Sequence, residues 1–118
     1  RIRFLQSSES SSYMMHSSSW PQTVDIIYRE FYDVPRIFVF QLDGRWFLMD
    51  CPFDEAVDEY PEFYTLYELP QNFVVPSGSW EGLSRTAART LGTLLVDSIV
   101  FDASLRRSVQ THTFQGLI

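Results

Sequence analysis

The sequence predicts a single α+β domain, in which an antiparallel sheet carries one main helix packed on a face. Three observations predict it: stretches of alternating β-branched and aromatic residues, an Asp-Gly pair between two apolar runs, and one segment with apolar residues at helical spacing. The 118 residues suit one core, and the 45% hydrophobic content supplies the apolar area that stabilises it. We divide the chain into a Ser-rich, partly flexible N-terminal segment, residues 1–23, and a single α+β domain, residues 24–118.

The N-terminal segment is distinguished by residues 7–19, which include eight serines and follow neither the strand nor the helix period. Such a composition disfavours packed structure. Tyr13 and Met14 within it could still dock on the domain, so we expect this segment to be only partly flexible.

The first strands are predicted from alternation. Residues 24–33 are dominated by β-branched and aromatic side chains, which indicates a strand. Val34 and Pro35 interrupt it because proline cannot donate to a ladder, and a second strand is expected over residues 36–42.

Asp43 and Gly44 predict a two-residue hairpin turn, in which both central residues need positive φ. The hairpin register then pairs Leu42 with Arg45 and Ile37 with Asp50. One face of this hairpin would carry Phe38, Phe40, Phe47, Met49 and Cys51, and the other Ile37, Val39, Trp46 and Leu48. Since both faces are apolar, we expect both to be covered, by the helix on one side and by the N-terminal segment, further strands or a partner chain on the other.

The remaining elements complete the α+β prediction. A fourth strand is expected over residues 62–69, and residues 94–101 and 106–114 are expected to form a C-terminal strand pair. Between the fourth strand and this strand pair, residues 79–91 predict the helix, with Ser79 as N-cap and Gly92 beyond its end. Its apolar face would be Trp80, Leu83, Ala87 and Leu91.

Charge and composition narrow the classes of function. The formal charge of −6 argues against nucleic-acid binding and favours a basic protein as partner. No apolar run is long enough to cross a membrane, so we expect no membrane partner. A single cysteine excludes an internal disulfide framework and favours a reducing, cytoplasmic setting. Motifs for phosphate, dinucleotide or zinc binding are absent, so we expect no cofactor and no metal.

An acidic segment after Pro52 is the first candidate binding site. Asp54, Glu55, Asp58 and Glu59 form two carboxylate pairs at i,i+4 spacing, which suits an Arg- or Lys-rich partner. The segment lacks the alternating oxygen ligands and central glycine of a calcium loop. The alternative is a solvated loop with no further role.

Aromatic residues with polar tips are the second candidate. Trp46, Tyr60 and Tyr64 could form a recognition surface, because such side chains are enriched at binding hot spots. The alternative is that they belong to the core.

Cys51 is the candidate nucleophile, with His16 or His112 as the base that thiolate chemistry requires. The hairpin register instead places Cys51 on an apolar face, where a free cysteine behaves as a small hydrophobe. We therefore assign no catalytic residue.

These observations favour a small cytoplasmic protein-binding module of the inhibitor or immunity type, using an acidic and aromatic surface. The first alternative is an enzyme that uses Cys51 or the acidic segment. The second is a structural or dimerisation domain, which forms a homodimer.

Overall fold

A computed structural model describes residues 20–118, whose six strands form one antiparallel sheet. The predictions for residues 1–19 lie outside this part of the chain. The strands are β1 (Thr23–Tyr32), β2 (Val34–Leu42), β3 (Arg45–Asp50), β4 (Phe63–Glu68), β5 (Arg89–Leu95) and β6 (Ser108–Gln110). Their order across the sheet is β5-β4-β3-β2-β1-β6.

The predicted β2–β3 hairpin is confirmed. Asp43 and Gly44 have φ of 56° and 74°, as a two-residue turn of this type requires. The register runs from Leu42 opposite Arg45 to Ile37 opposite Asp50, as predicted. The two predicted apolar faces are also confirmed, because their residues divide between two separate hydrophobic clusters.

The predicted α+β class is wrong, because the described residues contain no α-helix, only short 3₁₀ turns. Gly82 adopts a left-handed φ of 76°, so the single 3₁₀ turn at Leu83–Thr86 begins only after it. Ala87 is already extended, with ψ of 146°, and the chain enters β5 at Arg89. The apolar spacing from residue 80 onwards therefore comes from a loop followed by a strand, and not from one helix face.

The loop at residues 70–88, which contains most of the predicted helix, covers the sheet face that carries Val39 and Leu48. Trp80 is 5% exposed, packs in the cluster with Val39 and Leu48, and donates an indole N–H to the Pro76 carbonyl at 3.0 Å. Leu91, predicted on the same side, packs instead against the cluster on the opposite face.

The predicted C-terminal strand pair survives only as an isolated antiparallel bridge between Phe101 and Val109. The strands themselves, β5 and β6, lie at opposite edges of the sheet. β5 pairs with β4, whereas β6 is only three residues long and pairs with Thr23–Asp25 of β1. Beyond β6 the chain turns into a 3₁₀ segment, and Phe114 stacks on Phe40 with ring centroids 4.7 Å apart. The C-terminal segment thus covers the second apolar face.

Asp102 fixes the loop that leads into β6. Its carboxylate accepts backbone N–H bonds from Leu105, Arg106, Arg107 and Ser108. These bonds hold the pKa of Asp102 well below its usual range.

Among residues 20–118, no helical segment combines the length and the apolar character that crossing a membrane requires.

Candidate functional site

The acidic segment forms a short hairpin, which we call the acidic hairpin (residues 54–59). Asp54 N–H donates to the Glu59 carbonyl at 2.9 Å, and Glu59 N–H donates back to Asp54 at 3.2 Å. The Asp54 side chain accepts the Ala56 N–H at 3.0 Å, and Asp58 takes a left-handed φ of 58°. Aspartates suit these positions because they bond locally and tolerate positive φ. The segment thus projects as a hairpin and not as the helical turn that the i,i+4 spacing would need.

The four carboxylates of the acidic hairpin, Asp54, Glu55, Asp58 and Glu59, are all exposed. Within residues 20–118 the only ion pairs closer than 4 Å join Glu68 to Arg45 and to Arg89, so no arginine there neutralises the hairpin. Val57 at its tip is 59% exposed. The result is a concentrated negative charge, without ion pairs in the described residues, that surrounds an exposed apolar side chain.

An aromatic cluster, consisting of Tyr32, Phe53 and Tyr60 with the guanidinium of Arg36, lies against the base of this hairpin. Tyr60 stacks on Tyr32 with ring centroids 5.4 Å apart and meets Phe53 edge-on at 5.1 Å. The Arg36 guanidinium lies over the Tyr60 ring, with its central carbon 4.6 Å from the ring centroid. Tyr32 is 59% exposed and Phe53 41%, so the cluster presents much of its apolar area to solvent.

Tyr60 is fixed by a hydrogen bond from its hydroxyl to the Glu30 carboxylate at 2.6 Å. This bond, with burial, raises the pKa of Tyr60 to about 12. The ring is therefore held in one orientation, which lowers the entropy that binding would cost.

The other two predicted aromatic residues lie elsewhere. Tyr64 is fully buried and donates its hydroxyl to the Pro35 carbonyl, so it is not part of any exposed surface. Trp46 is half-buried against Phe73, with ring centroids 5.4 Å apart, at the far end of β3 from the acidic hairpin. Of the three predicted aromatics, only Tyr60 adjoins the acidic hairpin.

Cys51 is fully buried, as its predicted position on the apolar face implied. Its Sγ lies 3.4 Å from the Pro61 carbonyl and 3.7 Å from an Arg36 nitrogen. Burial raises the pKa of the Cys51 thiol despite the nearby guanidinium. These are the surroundings of a protonated thiol, opposite to those that activate a nucleophile. Neither histidine considered as its base is placed beside the thiol: His16 lies outside the described residues, and His112 is exposed whereas Cys51 is buried.

Sequence reasoning did not identify Tyr32, Phe53 and Arg36 as site residues. Tyr32 ends β1, and its proximity to Tyr60 depends on how β1, β2 and the acidic hairpin pack together. Phe53 carried a local signal, because a large aromatic residue between Pro52 and an acidic run has no strand neighbours to pack against.

Residues 20–118 contain no group of three or more His, Cys, Asp or Glu side chains placed to hold a metal ion. Comparison of the chain with protein-family models, curated proteins and solved structures finds no match. The candidate site therefore has to be interpreted from its own geometry.

Proposed function

We propose that this protein is a binding module that presents the acidic hairpin and the aromatic cluster to a basic protein partner. One observation carries the proposal: four exposed carboxylates without ion-pair partners in the described chain lie beside the exposed rings of Tyr32 and Phe53. The two features supply different parts of a binding free energy.

The carboxylates act at long range. A compact patch of one sign attracts a basic protein and raises the association rate, which then falls as salt screens the charges. Aromatic rings with polar tips act at contact, because they bury large apolar areas at little cost in side-chain entropy.

A module of this kind suits an inhibitor or immunity-type role. An acidic surface that covers the basic site of a partner blocks that site without any chemistry of its own. We place this activity in the cytoplasm, because the single free cysteine, Cys51, needs no oxidising compartment.

The test uses a displayed library of random peptides selected on the immobilised protein. We expect the selected sequences to be enriched in Arg or Lys together with apolar residues. Their association rates should fall several-fold when Asp54, Glu55, Asp58 and Glu59 are changed together to Asn or Gln. The salt dependence of binding should weaken in the same variant.

The matched control neutralises two exposed carboxylates elsewhere, Asp25 and Asp43, and is compared with a hairpin variant that neutralises only Asp54 and Asp58, so that both change the net charge by the same amount. This control should lose much less binding than that hairpin variant. Equal losses would mean that net charge alone attracts the peptides, and selection of acidic or neutral peptides would contradict the proposal outright.

A homodimer is the second candidate, favoured by exposed apolar side chains on β1. Ile27 is 47% exposed and Phe31 48%. β6 pairs with β1 only over Thr23–Asp25, so the outer edge of β1 beyond this point has no strand neighbour in the described chain. Sedimentation equilibrium tests this: a dimer weakened by Ile27→Lys would support it, and a monomer at every concentration would reject it.

A further inference from the structure

A groove of about 490 Å³ lies on the opposite face of the sheet from Cys51, between β1–β3 and the loop that carries Trp80. Ile37 and Leu83, both half-buried, form its apolar walls. Pro52 also lines the groove, and Phe53 and the acidic hairpin follow it directly in the chain. The groove therefore adjoins the proposed binding surface in sequence.

Two carboxylates stand in one row of the sheet at this groove. Glu30 of β1 is opposite Ile37 of β2, which is opposite Asp50 of β3. Neighbouring strands lie about 4.8 Å apart, so the two acidic residues are separated by roughly 10 Å along the row. Ile37 lies between them as an apolar floor.

These carboxylates lack a cation in the described chain, although two arginines line the same groove. Arg29 donates a hydrogen bond to the Ser77 carbonyl at 3.2 Å. Its guanidinium lies over the Trp80 ring, 5.5 Å from the ring centroid. Arg85 is exposed, and neither arginine comes within 4 Å of a carboxylate in residues 20–118. The remaining charged group of the groove, Glu81, is exposed and acidic.

The charge of Asp50 is correspondingly disfavoured. Its burial, followed by repulsion from Glu30, raises the pKa of Asp50. A cation placed between the two carboxylates would offset both effects, because it attracts the ionised forms.

We propose that this groove binds an arginine side chain of the basic partner, with its guanidinium between Asp50 and Glu30 and its methylene stem against Ile37 and Leu83. The inference rests on the proposed function: it identifies the groove as the place where an arginine of the basic partner binds. Arginine fits better than lysine because its planar guanidinium carries five N–H donors and can reach two separated carboxylates at once. Glu30 uses one oxygen to accept the Tyr60 hydroxyl and keeps the other for such a donor.

The experiment titrates the protein with N-acetyl-arginine amide, followed by amide and indole chemical shifts in NMR. The neutral isostere N-acetyl-citrulline amide and the corresponding lysine amide are titrated in parallel. We expect saturable shifts at Ile37, Asp50 and Trp80 with arginine, and binding about tenfold weaker with citrulline, the loss expected for a charge-assisted hydrogen bond. Binding should strengthen as the pH rises through the pKa of Asp50, since only the ionised carboxylate attracts the guanidinium.

Two variants locate the site. Asp50→Asn should weaken arginine binding about tenfold, and Glu30→Gln should weaken it independently. The variant with a neutralised acidic hairpin should keep the groove shifts nearly unchanged, because its carboxylates lie outside the groove.

Equal shifts with citrulline would overturn the inference, and so would shifts confined to residues 54–59 or insensitive to Asp50→Asn. If basic peptides still bind in those cases, the proposed function stands and only the arginine anchor fails. Conversely, arginine in the groove without any enrichment of basic peptides would retain the groove and reject the acidic hairpin as the partner site.

Discussion

The Tyr60 hydroxyl donates a 2.6 Å hydrogen bond to the Glu30 carboxylate, and this bond joins the base of the acidic hairpin to β1. It also connects the two proposed sites, since Tyr60 belongs to the aromatic cluster and Glu30 lines the arginine groove. The orientation of one side chain therefore influences both the exposed rings and the acceptor available in the groove.

Tyr60→Phe tests this connection. The variant keeps the ring but loses the hydrogen bond, so we expect a loss of about 1 kcal/mol in the free energy of unfolding. The folded pKa of about 12 exceeds the unfolded value near 10, so the contribution of Tyr60 is complete below pH 10 and is lost as the pH rises through about 12. Urea unfolding at pH 7 and pH 11.5 should show a smaller difference between wild type and variant at the higher pH. Tyr32→Phe is the control, and an equal effect there would contradict the assignment.

Glu68 provides a second test, at acid pH. Its carboxylate accepts hydrogen bonds from Arg45 Nε and Nη2, both at 3.0 Å, and from Arg89 Nε at 2.8 Å, which lowers the pKa of Glu68 to about 2. Because the folded pKa lies below the unfolded value near 4.3, its stabilisation is present above that value and disappears as the pH falls toward 2. The ion pairs are partly exposed, so we expect Glu68→Gln to cost about 1 kcal/mol at pH 7. The difference in unfolding free energy between wild type and Glu68→Gln should narrow as the pH falls to about 2 and vanish only below it. The exposed control Glu62→Gln should show no such difference. A pH-independent difference would point to packing, not ionisation.

The accessibility of Cys51 follows from its burial. In the native protein, Cys51 should react with an alkylating reagent only as fast as local unfolding exposes it, because the thiol is fully buried and its pKa is raised. The comparison is Ser77→Cys in a Cys51→Ala background, which places a thiol in an exposed loop. Rapid labelling of the native wild-type protein would support the interpretation that Cys51 is the nucleophile of an enzyme. Protection of the thiol until denaturation would contradict it.

The parts of the fold that the sequence predicted correctly depend on local chemistry. The Asp43–Gly44 turn sets its own register, and alternation around it places each side chain of β2 and β3 on a known face. The helix prediction failed because spacing of apolar residues cannot reveal that Gly82 is left-handed or that β4 offers an edge for Arg89–Leu95. Tertiary pairing overrode a weak helical preference.

The same division applies to the candidate site. Its carboxylates are adjacent in the chain, so an acidic patch could be predicted before the structure was known. The aromatic cluster required Tyr32 and Tyr60 to meet across the packing of three segments, and the row from Glu30 to Asp50 required the register of three strands. Neither relationship leaves a signal in a single sequence.

The turn itself can be tested at Gly44, where φ is 74° and no atom lies within 4 Å of an added Cβ. Any effect of substitution there is backbone strain and not collision. We expect Gly44→Val to cost about 1–3 kcal/mol and Gly44→Asn less, because asparagine tolerates positive φ. Thermal unfolding would measure the order. Gly78→Val is the control, since Gly78 has equally open space without a positive φ; equal losses at Gly44 and Gly78 would contradict a strain mechanism.

Trp80 tests whether a loop, in place of a helix, covers the sheet face that carries Val39 and Leu48. It is 5% exposed, packs with Val39, Leu48 and Leu69, and anchors the loop through its bond to the Pro76 carbonyl. We expect Trp80→Ala to lower the free energy of unfolding by about 3–5 kcal/mol, the usual cost of removing a large buried aromatic side chain. Trp80→Phe should cost less, because it keeps most of the apolar contact and loses the indole bond.

The control for Trp80 is Val74→Ala in the same loop, where the side chain is 79% exposed and the cost should stay within about 0.5 kcal/mol. Urea unfolding followed by circular dichroism gives the three values on one scale. If this loop buries the sheet face, the Trp80→Ala protein should also bind an apolar dye in the native state, because Val39 and Leu48 become exposed. It should lose the groove as well, because Trp80 and Leu83 hold the wall opposite Ile37. A Trp80→Ala protein as stable as the Val74→Ala control, with no dye binding, would mean that the sheet face is stable without this loop, and the wall of the arginine groove would lose its structural basis.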